Sequence, residues 1–373
     1  MVTTTSIERL RLDDALSIVS GAVERSHALP ILENVLMRSA NGKVAFTASD
    51  SGVQVTKVLE GNPADRDYAF TAHAKKFNKI VNSADGKEIK LSIDKGQVKI
   101  STGRGRYTLK TLSDSNYPLM SKVVDREVQV AVKQGHLKTA LEKVLHASAK
   151  NDIRYYLNSV QMILEGNLVT INATDGHRLA QAKFSCNFAG ERIVTILPLK
   201  TAMLLVKMIS DSEEEVFMAL SNEQVRFDFS DTEIISKVIE GKYPEIQKII
   251  RNNINDVKIK INRHQMLSAL TRCNVLGEIE GFGIEFLVDK NAIFLDGSTK
   301  TKGEAEVHEE VDVVYEGEKI QTRFHIKYLS EALSSSKSDE MVFAFDRSNT
   351  TNGSLHIYDG SDAWVGIIMP VRY

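Results

Sequence analysis

The sequence predicts an α+β protein made of three similar units, each containing two helices and a set of antiparallel strands. Three observations lead to this prediction: a segment that recurs along the chain, a helical pattern upstream of each copy, and a proline that recurs at equal intervals. Self-similarity at a fixed interval is the sequence signature of a repeated structural unit. The 373 residues suffice for roughly two to four domains of ordinary size.

The recurring segment has the pattern of strands joined by turns. ENVLMRSANGKVAFTASDSG (33–52) aligns with NSVQMILEGNLVTINATDGH (158–177), and GIEFLVDKNAIFLDGST (283–299) is a more divergent third copy. Asp50 and Asp175 occupy the same position in the first two copies. Gly, Asn and Asp interrupt β-prone, alternating runs, which predicts hairpins. Similar runs predict further strands at 90–102, 215–230 and 356–370.

A helix is predicted upstream of each copy. Apolar residues recur there at i, i+3, i+4 and i+7, which is the spacing of one helix face. These apolar positions are Leu12, Ala15, Leu16 and Val19, then Leu137, Ala140, Leu141 and Val144, then Met266, Ala269, Leu270 and Cys273. Second helices are predicted at 74–84, 198–210 and 326–336.

The unit boundaries follow from the prolines that end each unit. Pro118, Pro244 and Pro370 recur at equal intervals, the first two after tyrosine and the third after methionine. We therefore place the boundaries near residues 125 and 252. The predicted domains are 1–125, 126–252 and 253–373.

Composition restricts the classes of protein to consider. Apolar residues make up 42% of the chain and charged residues 26%, which is ordinary for a folded protein. The formal net charge of −2 argues against a protein that holds nucleic acid by coating its surface with cations, although positive charge can still concentrate on one face. With no signal-peptide pattern and no apolar run of membrane-spanning length, we expect a cytoplasmic protein without a membrane partner. Cys186 and Cys273 fit a reducing compartment as small core residues.

Positive charge is expected on helix faces. Residues 133–150 carry lysines and histidines against the single acid Glu142, and residues 73–79 carry no acid. The third unit adds Arg263, His264, Arg272, Lys327 and Lys337, partly offset by acids. Basic helices repeated on equivalent units predict a surface that touches phosphates without reading bases, since no zinc-finger, helix-turn-helix or RNP-type motif is present.

The segment NATDGHRLA (172–180) has three possible roles: a general acid–base centre, a phosphate-binding turn, or a bend between two strands. Asp before Gly at a strand end favours a turn in which the Asp175 side chain binds its own backbone. A general base at His177 requires a nucleophile or an orienting partner, and the sequence shows neither. Metal-ligand spacings and complete phosphate loops are also missing, so no cofactor is expected. A hydrolase or transferase using His177 and Asp175, and a scaffold that binds only proteins, are two functions that stay open at this point.

Several motifs together resemble one known family. LPILENVL (29–36), RYYLN (154–158), ATDGHRLA (173–180), KYP (242–244) and MPVRY (369–373) are similar to the bacterial DNA sliding clamps, the β subunits of the replicative DNA polymerase. The similarity spans the whole chain. It implies a non-enzymatic processivity factor in which two three-domain chains close head to tail into a six-domain ring around duplex DNA.

The resemblance also implies a peptide-binding pocket between the second and third domains. Replicative polymerase, clamp loader and repair polymerases would dock there through short motifs. Apolar side chains would take the partner's anchors, and Gly176 would let a peptide backbone approach closely. The implied pocket residues are Arg154, Leu157, Thr174, Gly176, His177, Arg178, Leu179, Pro244, Lys248, Ile249, Ser354, Ile367, Met369, Pro370, Val371 and Arg372.

Two further sets of residues are implied by the same resemblance. Duplex DNA would contact Arg25, Lys150, Tyr155 and Tyr156. Because neighbours in a strand point to opposite sides, one of the two tyrosines is expected to face the core. The homodimer seam would join Tyr107 and Leu109 of one copy to Val275 and Leu276 of the other.

Overall fold

The computed structural model describes residues 2–23, 29–61, 66–121, 128–251, 257–276, 283–298, 305–349 and 353–371. The helices are α1 Arg9–Ser20, α2 Ala74–Asn82, α3 Gln134–Leu145, α4 Leu199–Met208, α5 Ile246–Arg251, α6 Arg263–Cys273 and α7 Ile326–Ser334. The strands of the first half are β1 Thr3–Glu8, β2 Asn34–Ala40, β3 Lys43–Ser49, β4 Val53–Glu60, β5 Tyr68–His73, β6 Glu88–Asp94, β7 Gln97–Thr102, β8 Gly105–Leu112, β9 Val128–Lys133, β10 Ser159–Glu165, β11 Leu168–Thr174 and β12 Arg178–Ser185. The remaining strands are β13 Ile193–Pro198, β14 Glu215–Leu220, β15 Gln224–Phe229, β16 Thr232–Lys237, β17 Val257–Asn262, β18 Gly283–Asp289, β19 Ala292–Ser298, β20 Glu306–Asp312, β21 Ile320–His325, β22 Glu340–Phe345, β23 Leu355–Tyr358 and β24 Trp364–Ile368.

The first of two compact units contains Met1–Gln134 and Lys207–Val238. Its strands form a twelve-stranded antiparallel sheet in the order β1-β6-β7-β8-β5-β2-β3-β4-β16-β15-β14-β9. The helix α1 packs against α2 and β4. Its buried residues are the predicted Leu12, Ala15, Leu16 and Val19. The apolar spacing read from the sequence therefore identifies the face that this helix buries.

The second unit contains Gly135–Val206 and Ile239–Tyr373. It holds an eight-stranded sheet, β13-β10-β11-β12-β24-β23-β22-β17, and a four-stranded sheet, β20-β19-β18-β21. The helix α6 packs against α7, β19 and β20. It buries Met266, Ala269, Leu270 and Cys273, the predicted apolar face. The residues Leu137, Ala140, Leu141 and Val144 of α3 are buried as well.

The α+β class and the threefold organisation are confirmed, but the compact units do not follow the predicted boundaries. Strand β4 of the first repeat pairs with β16 of the second, and β12 of the second pairs with β24 of the third. The strands of the middle repeat therefore divide between two sheets. Residues 125 and 252, where we placed the boundaries, lie outside the described residues, so these positions stay predictions. Among the described residues, no helix is both long and apolar enough to cross a membrane.

Candidate functional site

The turn at Asp175 is a hydrogen-bonded bend between β11 and β12. Asp175 Oδ1 accepts from the backbone N–H groups of His177 at 2.9 Å and of Arg178 at 3.0 Å. In the first repeat, Asp50 Oδ1 accepts the equivalent pair of bonds at 2.8 and 2.7 Å. The carboxylate thus satisfies backbone donors that the bend leaves without partners, as predicted for an Asp before a Gly.

Gly176 is required by the backbone of this turn. Its φ of 90° lies in the left-handed region, where side chains are strained. A Cβ at this position would lie 3.4 Å from both terminal guanidinium nitrogens of Arg154. Arg154 therefore lies beside Gly176, which is itself exposed, and the expectation that Gly176 lets a peptide backbone approach closely stays a prediction. Arg154 is held by a two-pronged bond to Asp152, at 3.0 and 2.9 Å, which lowers the pKa of Asp152 to about 2.

The same turn is held from behind by a buried tyrosine. The Tyr243 hydroxyl accepts a hydrogen bond from the backbone N–H of Thr174 at 3.2 Å, and burial raises the Tyr243 pKa. In the first repeat, the Tyr117 hydroxyl accepts from Ser49 N–H at 3.1 Å in the same way. The Tyr-Pro pairs found in the sequence therefore mark a structural support that both repeats use.

A cavity of about 940 Å³ lies against this turn, within the second unit. That volume falls in the range of ligand-binding clefts. The cavity is lined by Arg154, Tyr156, Leu157, Thr174, Gly176, His177, Arg178, Leu179, Pro244, Ile249, His325, Tyr328, Asn349, Gly353, Ser354, Ile367, Met369, Pro370 and Val371. It draws on segments from the second and third repeats, because β12 and β24 are hydrogen-bonded neighbours.

The cavity has an apolar floor and a more exposed rim. Its floor belongs to a buried cluster made of Leu179, Ile196, Tyr243, Ile246, Val365 and Ile367. Met369 is 52% exposed at the rim, where an adaptable thioether can rearrange around different ligands. Ile367 and Leu179 are only 2% and 4% exposed. These two residues are thus core side chains that also line the cavity.

One wall of the cavity is a stacked array around Arg178. Arg178 Nε donates to Asp175 Oδ2 at 3.0 Å, and its Nη1 donates to Glu331. The guanidinium carbon lies 4.1 Å from the ring centre of Tyr328. The imidazole of His325 stacks on the same tyrosine ring, with the two ring centres 4.1 Å apart. Burial, with a smaller effect of Arg178, lowers the pKa of His325, so this imidazole is neutral near pH 7. The array joins the Asp175 turn to the start of α7.

The structure brings most of the implied pocket residues to this cavity. Lys248 is an exception: it is exposed on α5 and pairs with Glu245, one helical turn away, so it stays out of the lining. Arg372 lies outside the described residues. The sequence reading missed His325, Tyr328, Asn349 and Gly353, which belong to the divergent third repeat. His325 is the N-cap of α7 and Tyr328 follows three residues later, and this i, i+3 spacing was the available signal.

The residues implied for DNA contact occupy different environments. Tyr155 is 59% exposed, and Lys150 is exposed nearby in the sequence. Tyr156 lines the cavity. Neither tyrosine is a buried core residue, so the expectation that one of them faces the core is wrong, because they lie in a single 3-10 turn, Tyr155–Leu157, and not in a strand. Arg25 lies outside the described residues.

The residues implied for the dimer seam include exposed apolar side chains. Tyr107 is 41% exposed on β8, where Leu109 is half-buried, and Val275 is 78% exposed after α6. The side chain of Leu276 lies outside the described part. Single exposed apolar residues are common on any surface. The seam therefore stays a prediction.

The basic helix faces are more neutral than the sequence suggested. Lys143 of α3 is paired with the buried Asp359, and Arg272 of α6 is paired with Glu309. These acids come from distant parts of the chain, which a linear count of charges cannot show. Exposed lysines remain along α2 at Lys75, Lys76 and Lys79. In the described part of the chain, no group of His, Cys, Asp or Glu is arranged to hold a metal ion.

Fold and cavity together define a repeat-built protein whose candidate site is a partly apolar cavity. The chain belongs to the DNA polymerase III beta subunit family, the sliding clamps that act as processivity factors of DNA polymerase. The family model of the N-terminal domain matches residues 3–121, that of the central domain residues 131–245, and that of the C-terminal domain residues 247–372.

Similar proteins cover nearly the whole chain. The beta sliding clamp of Haemophilus influenzae is 27% identical over 368 residues, which are 98% of this chain and 99% of the relative. A sliding clamp from Pseudomonas aeruginosa bound to griselimycin has a TM-score of 0.92 at 25% identity and full coverage of both chains. The C. crescentus beta sliding clamp, with polyethylene glycol bound to a putative beta-motif tethering region, has a TM-score of 0.90 at 26% identity, covering 100% of this chain and 99% of that chain.

Proposed function

We propose that two copies of this chain close head to tail into a ring around duplex DNA, and that the cavity docks short segments of DNA-processing proteins. The cavity at the Asp175 turn is the observation that carries this proposal. Replicative polymerase, clamp loader and repair polymerases are the proposed partners. No sequence readout is involved, because a ring holds DNA by topology and slides when its contacts with phosphates are weak.

The lining of the cavity supports a peptide ligand. An apolar floor suits anchor side chains such as leucine or phenylalanine, while Ser354 and Asn349 offer polar groups at the edge. Relatives solved with griselimycin or polyethylene glycol bound also support a surface that accepts flexible ligands. We infer that the corresponding surface here is this cavity.

We also propose that the protein has no catalytic activity of its own. The Asp175 carboxylate is occupied by two backbone N–H groups and by Arg178. His177 is exposed, and no hydrogen bond to its imidazole occurs within the described ranges. This arrangement supports a structural role for both residues, in place of the acid–base pair considered from the sequence.

Docking can be tested with the exposed Met369. Met369→Glu places a carboxylate where a partner's apolar side chain must bury, and desolvating that charge opposes binding. Fluorescence titration with a labelled peptide from the C-terminus of the cognate replicative polymerase should show at least about tenfold weaker binding, equivalent to about 1.4 kcal/mol. The more obvious Leu179→Asp is unsuitable, because Leu179 is buried in the core and its loss would disturb folding.

The matched control is Met203→Glu. Met203 is 55% exposed on α4 and does not line the cavity, so the same substitution tests surface charge alone. Its peptide affinity should equal that of the wild type. Equal affinities for Met369→Glu and the wild type would remove the cavity from the proposal.

A further inference from the structure

A buried histidine lies beneath the cavity. His356 of β23 is completely buried and pairs across the sheet with Ile367, which lines the cavity floor. Residues directly opposite on paired strands share a face, and so do residues two apart along one strand. Ser354, His356 and Tyr358 therefore lie on the cavity side of β23. The core side of the strand is taken by Leu355 and Ile357, which are also fully buried.

Both ring nitrogens of His356 face a hydroxyl group. Nε2 lies 3.3 Å from Ser354 Oγ, and Nδ1 lies 3.5 Å from the Tyr358 hydroxyl. Ser354 lines the cavity, whereas Tyr358 packs against the buried cluster of its floor. The imidazole thus connects the hydroxyl of Ser354, which lines the cavity, to the hydroxyl of the partly buried Tyr358.

The ring is neutral under ordinary conditions. Burial lowers the pKa of His356 to about 4, so near pH 7 one ring nitrogen carries a proton and the other accepts a hydrogen bond. If Nε2 carries the proton, it donates to Ser354 Oγ, and the Ser354 proton turns away from the ring. If Nδ1 carries the proton, Ser354 donates to Nε2, and the Ser354 oxygen keeps lone pairs for other donors.

We propose that His356 is a positioning residue of the docking cavity, whose tautomer determines whether Ser354 offers a hydrogen-bond donor or an acceptor to the main chain of a bound peptide. An extended peptide presents N–H and C=O groups in alternation, and its register selects which of the two meets Ser354. When the tautomer changes, one ring nitrogen takes up a proton from water, and the other ring nitrogen releases its proton to water. The ring is neutral before and after.

This inference rests on the proposed docking function and adds a polar specificity contact to it. An apolar floor by itself discriminates weakly among peptides of similar shape, whereas a hydrogen bond in a partly buried site discriminates by the group it meets. A contact that can reverse its polarity suits a pocket that serves several partners.

The first test is a double-mutant cycle on peptide affinity. Ser354→Ala and His356→Phe, each titrated with the labelled polymerase peptide, should weaken binding about three- to tenfold, as expected for one hydrogen bond. The double variant should bind no more weakly than either single variant, because both remove the same contact. His356→Gln, which keeps a donor and an acceptor, should recover affinity relative to His356→Phe. Ile357→Val, on the other face of β23, is the matched control and should bind like the wild type.

The second test observes the tautomer of His356 directly, by NMR of the wild-type protein. The protein is labelled with ¹⁵N-histidine, and the signals of His356 are assigned by their absence in His356→Gln. The ¹⁵N chemical shifts of the two His356 ring nitrogens should change when the peptide binds, because the two tautomers have different shifts. Additive losses in the cycle, or peptide binding without a change in the His356 nitrogens, would overturn the proposal. If the wild type and Met369→Glu both fail to bind the peptide, the docking function itself fails, and this inference fails with it.

Discussion

Arg178 illustrates at the residue scale how one side chain can line a site and also hold it together. Its side chain is 9% exposed, and its guanidinium is shared among Asp175, Glu331 and the ring of Tyr328. Each of these contacts uses a different part of the planar group, which lysine cannot reproduce. The resemblance to known clamps implied a pocket residue, and the contacts add a structural role that the sequence could not reveal.

We therefore expect Arg178→Lys to destabilise the second unit by about 1–3 kcal/mol, because the carboxylates of Asp175 and Glu331 lose charge-assisted hydrogen bonds. Urea unfolding measures this change. The matched control is Arg154→Lys, since Arg154 makes a similar two-pronged bond to Asp152 but its side chain is 46% exposed. That variant should change stability little, as is usual for exposed ion pairs. Equal losses in the two variants would contradict the importance assigned to burial.

Two histidines predict how stability depends on pH. Burial lowers the pKa of both His146 and His356 to about 4. The unfolded chain, with an ordinary histidine pKa near 6.5, then binds more protons than the folded chain between about pH 4 and pH 6.5. This contribution to stability is fully present above about pH 6.5 and is lost as the pH falls through that window, by on the order of 3 kcal/mol for the completely buried His356 and by less for His146, whose side chain is partly exposed.

Thermal unfolding between pH 4 and pH 7 tests this prediction. His146→Gln should make the decrease of stability with falling pH less steep, because one of the two histidines that take up a proton on unfolding is removed. His136→Gln is the control, since His136 is exposed on α3, the helix that ends just before His146, and its loss should leave the slope unchanged. A decline that is equally steep in His146→Gln would show that other groups cause it.

At the element scale, the repeats share a support and differ in what it holds. Tyr117 and Tyr243 make equivalent bonds to the turns of the first and second repeats. Four residues after Asp50 stands Gln54, whose Oε1 accepts from the backbone N–H of Met120 at 2.9 Å. The equivalent position after Asp175 is Leu179, an apolar side chain on the cavity floor. The first repeat thus has a hydrogen-bonded glutamine, Gln54, at the position where the second repeat has Leu179 on the floor of its cavity.

The paired tyrosines allow a matched prediction. Tyr117→Phe and Tyr243→Phe should each reduce stability by about 1–3 kcal/mol, because each leaves a buried backbone N–H without its acceptor. Tyr117→Phe should reduce stability more than Tyr243→Phe, since the Tyr117 hydroxyl also donates to Asn34 O at 3.2 Å. Peptide affinity, measured on the folded proteins, should fall only in Tyr243→Phe, whose turn lines the cavity. A loss of affinity in Tyr117→Phe would contradict this separation.

At the scale of the whole molecule, two strand edges carry opposite charges. Within the described residues, β8 meets β5 only near Thr111 and Leu112, so its stretch from Gly105 to Lys110 has one strand neighbour. This stretch is basic, whereas β20, an edge strand of its sheet, contains Glu306, Glu310 and Asp312, besides Glu309, which Arg272 neutralises. Two β8 edges would repel each other, but β8 of one copy and β20 of another attract. Charge therefore favours the proposed head-to-tail closure.

Val275→Arg tests that closure. It places a cation in the proposed apolar seam, opposite a basic strand, and a fully buried side chain of this kind contributes roughly 1.5–3 kcal/mol before association costs. Sedimentation should show a shift from dimer to monomer, and retention on nicked circular DNA after loading should be lost. Ile153→Arg is the control, because Ile153 is 96% exposed and is not part of the proposed seam. A dimer unchanged by Val275→Arg at nanomolar concentration would show that the seam lies elsewhere.

Local elements of this protein were determined by the sequence itself. Helix faces, hairpins and the Asp175 turn depend on residues within a few positions of one another, so periodicity and turn chemistry predict them. The second helices begin within a residue of the predicted starts, and each ends two residues before its predicted end. The threefold repeat followed from the same local patterns.

The joining of sheets and the walls of the cavity depended on the tertiary structure. Periodicity reports which face of an element is buried but not which distant element covers it. The pairing of β12 with β24, the salt bridge from Arg178 to Glu331, and the neutralisation of Lys143 by Asp359 all join residues far apart in the chain. His325 and Tyr328 became part of the site for that reason, whereas the local pairing of Lys248 with Glu245 kept an expected residue out of it.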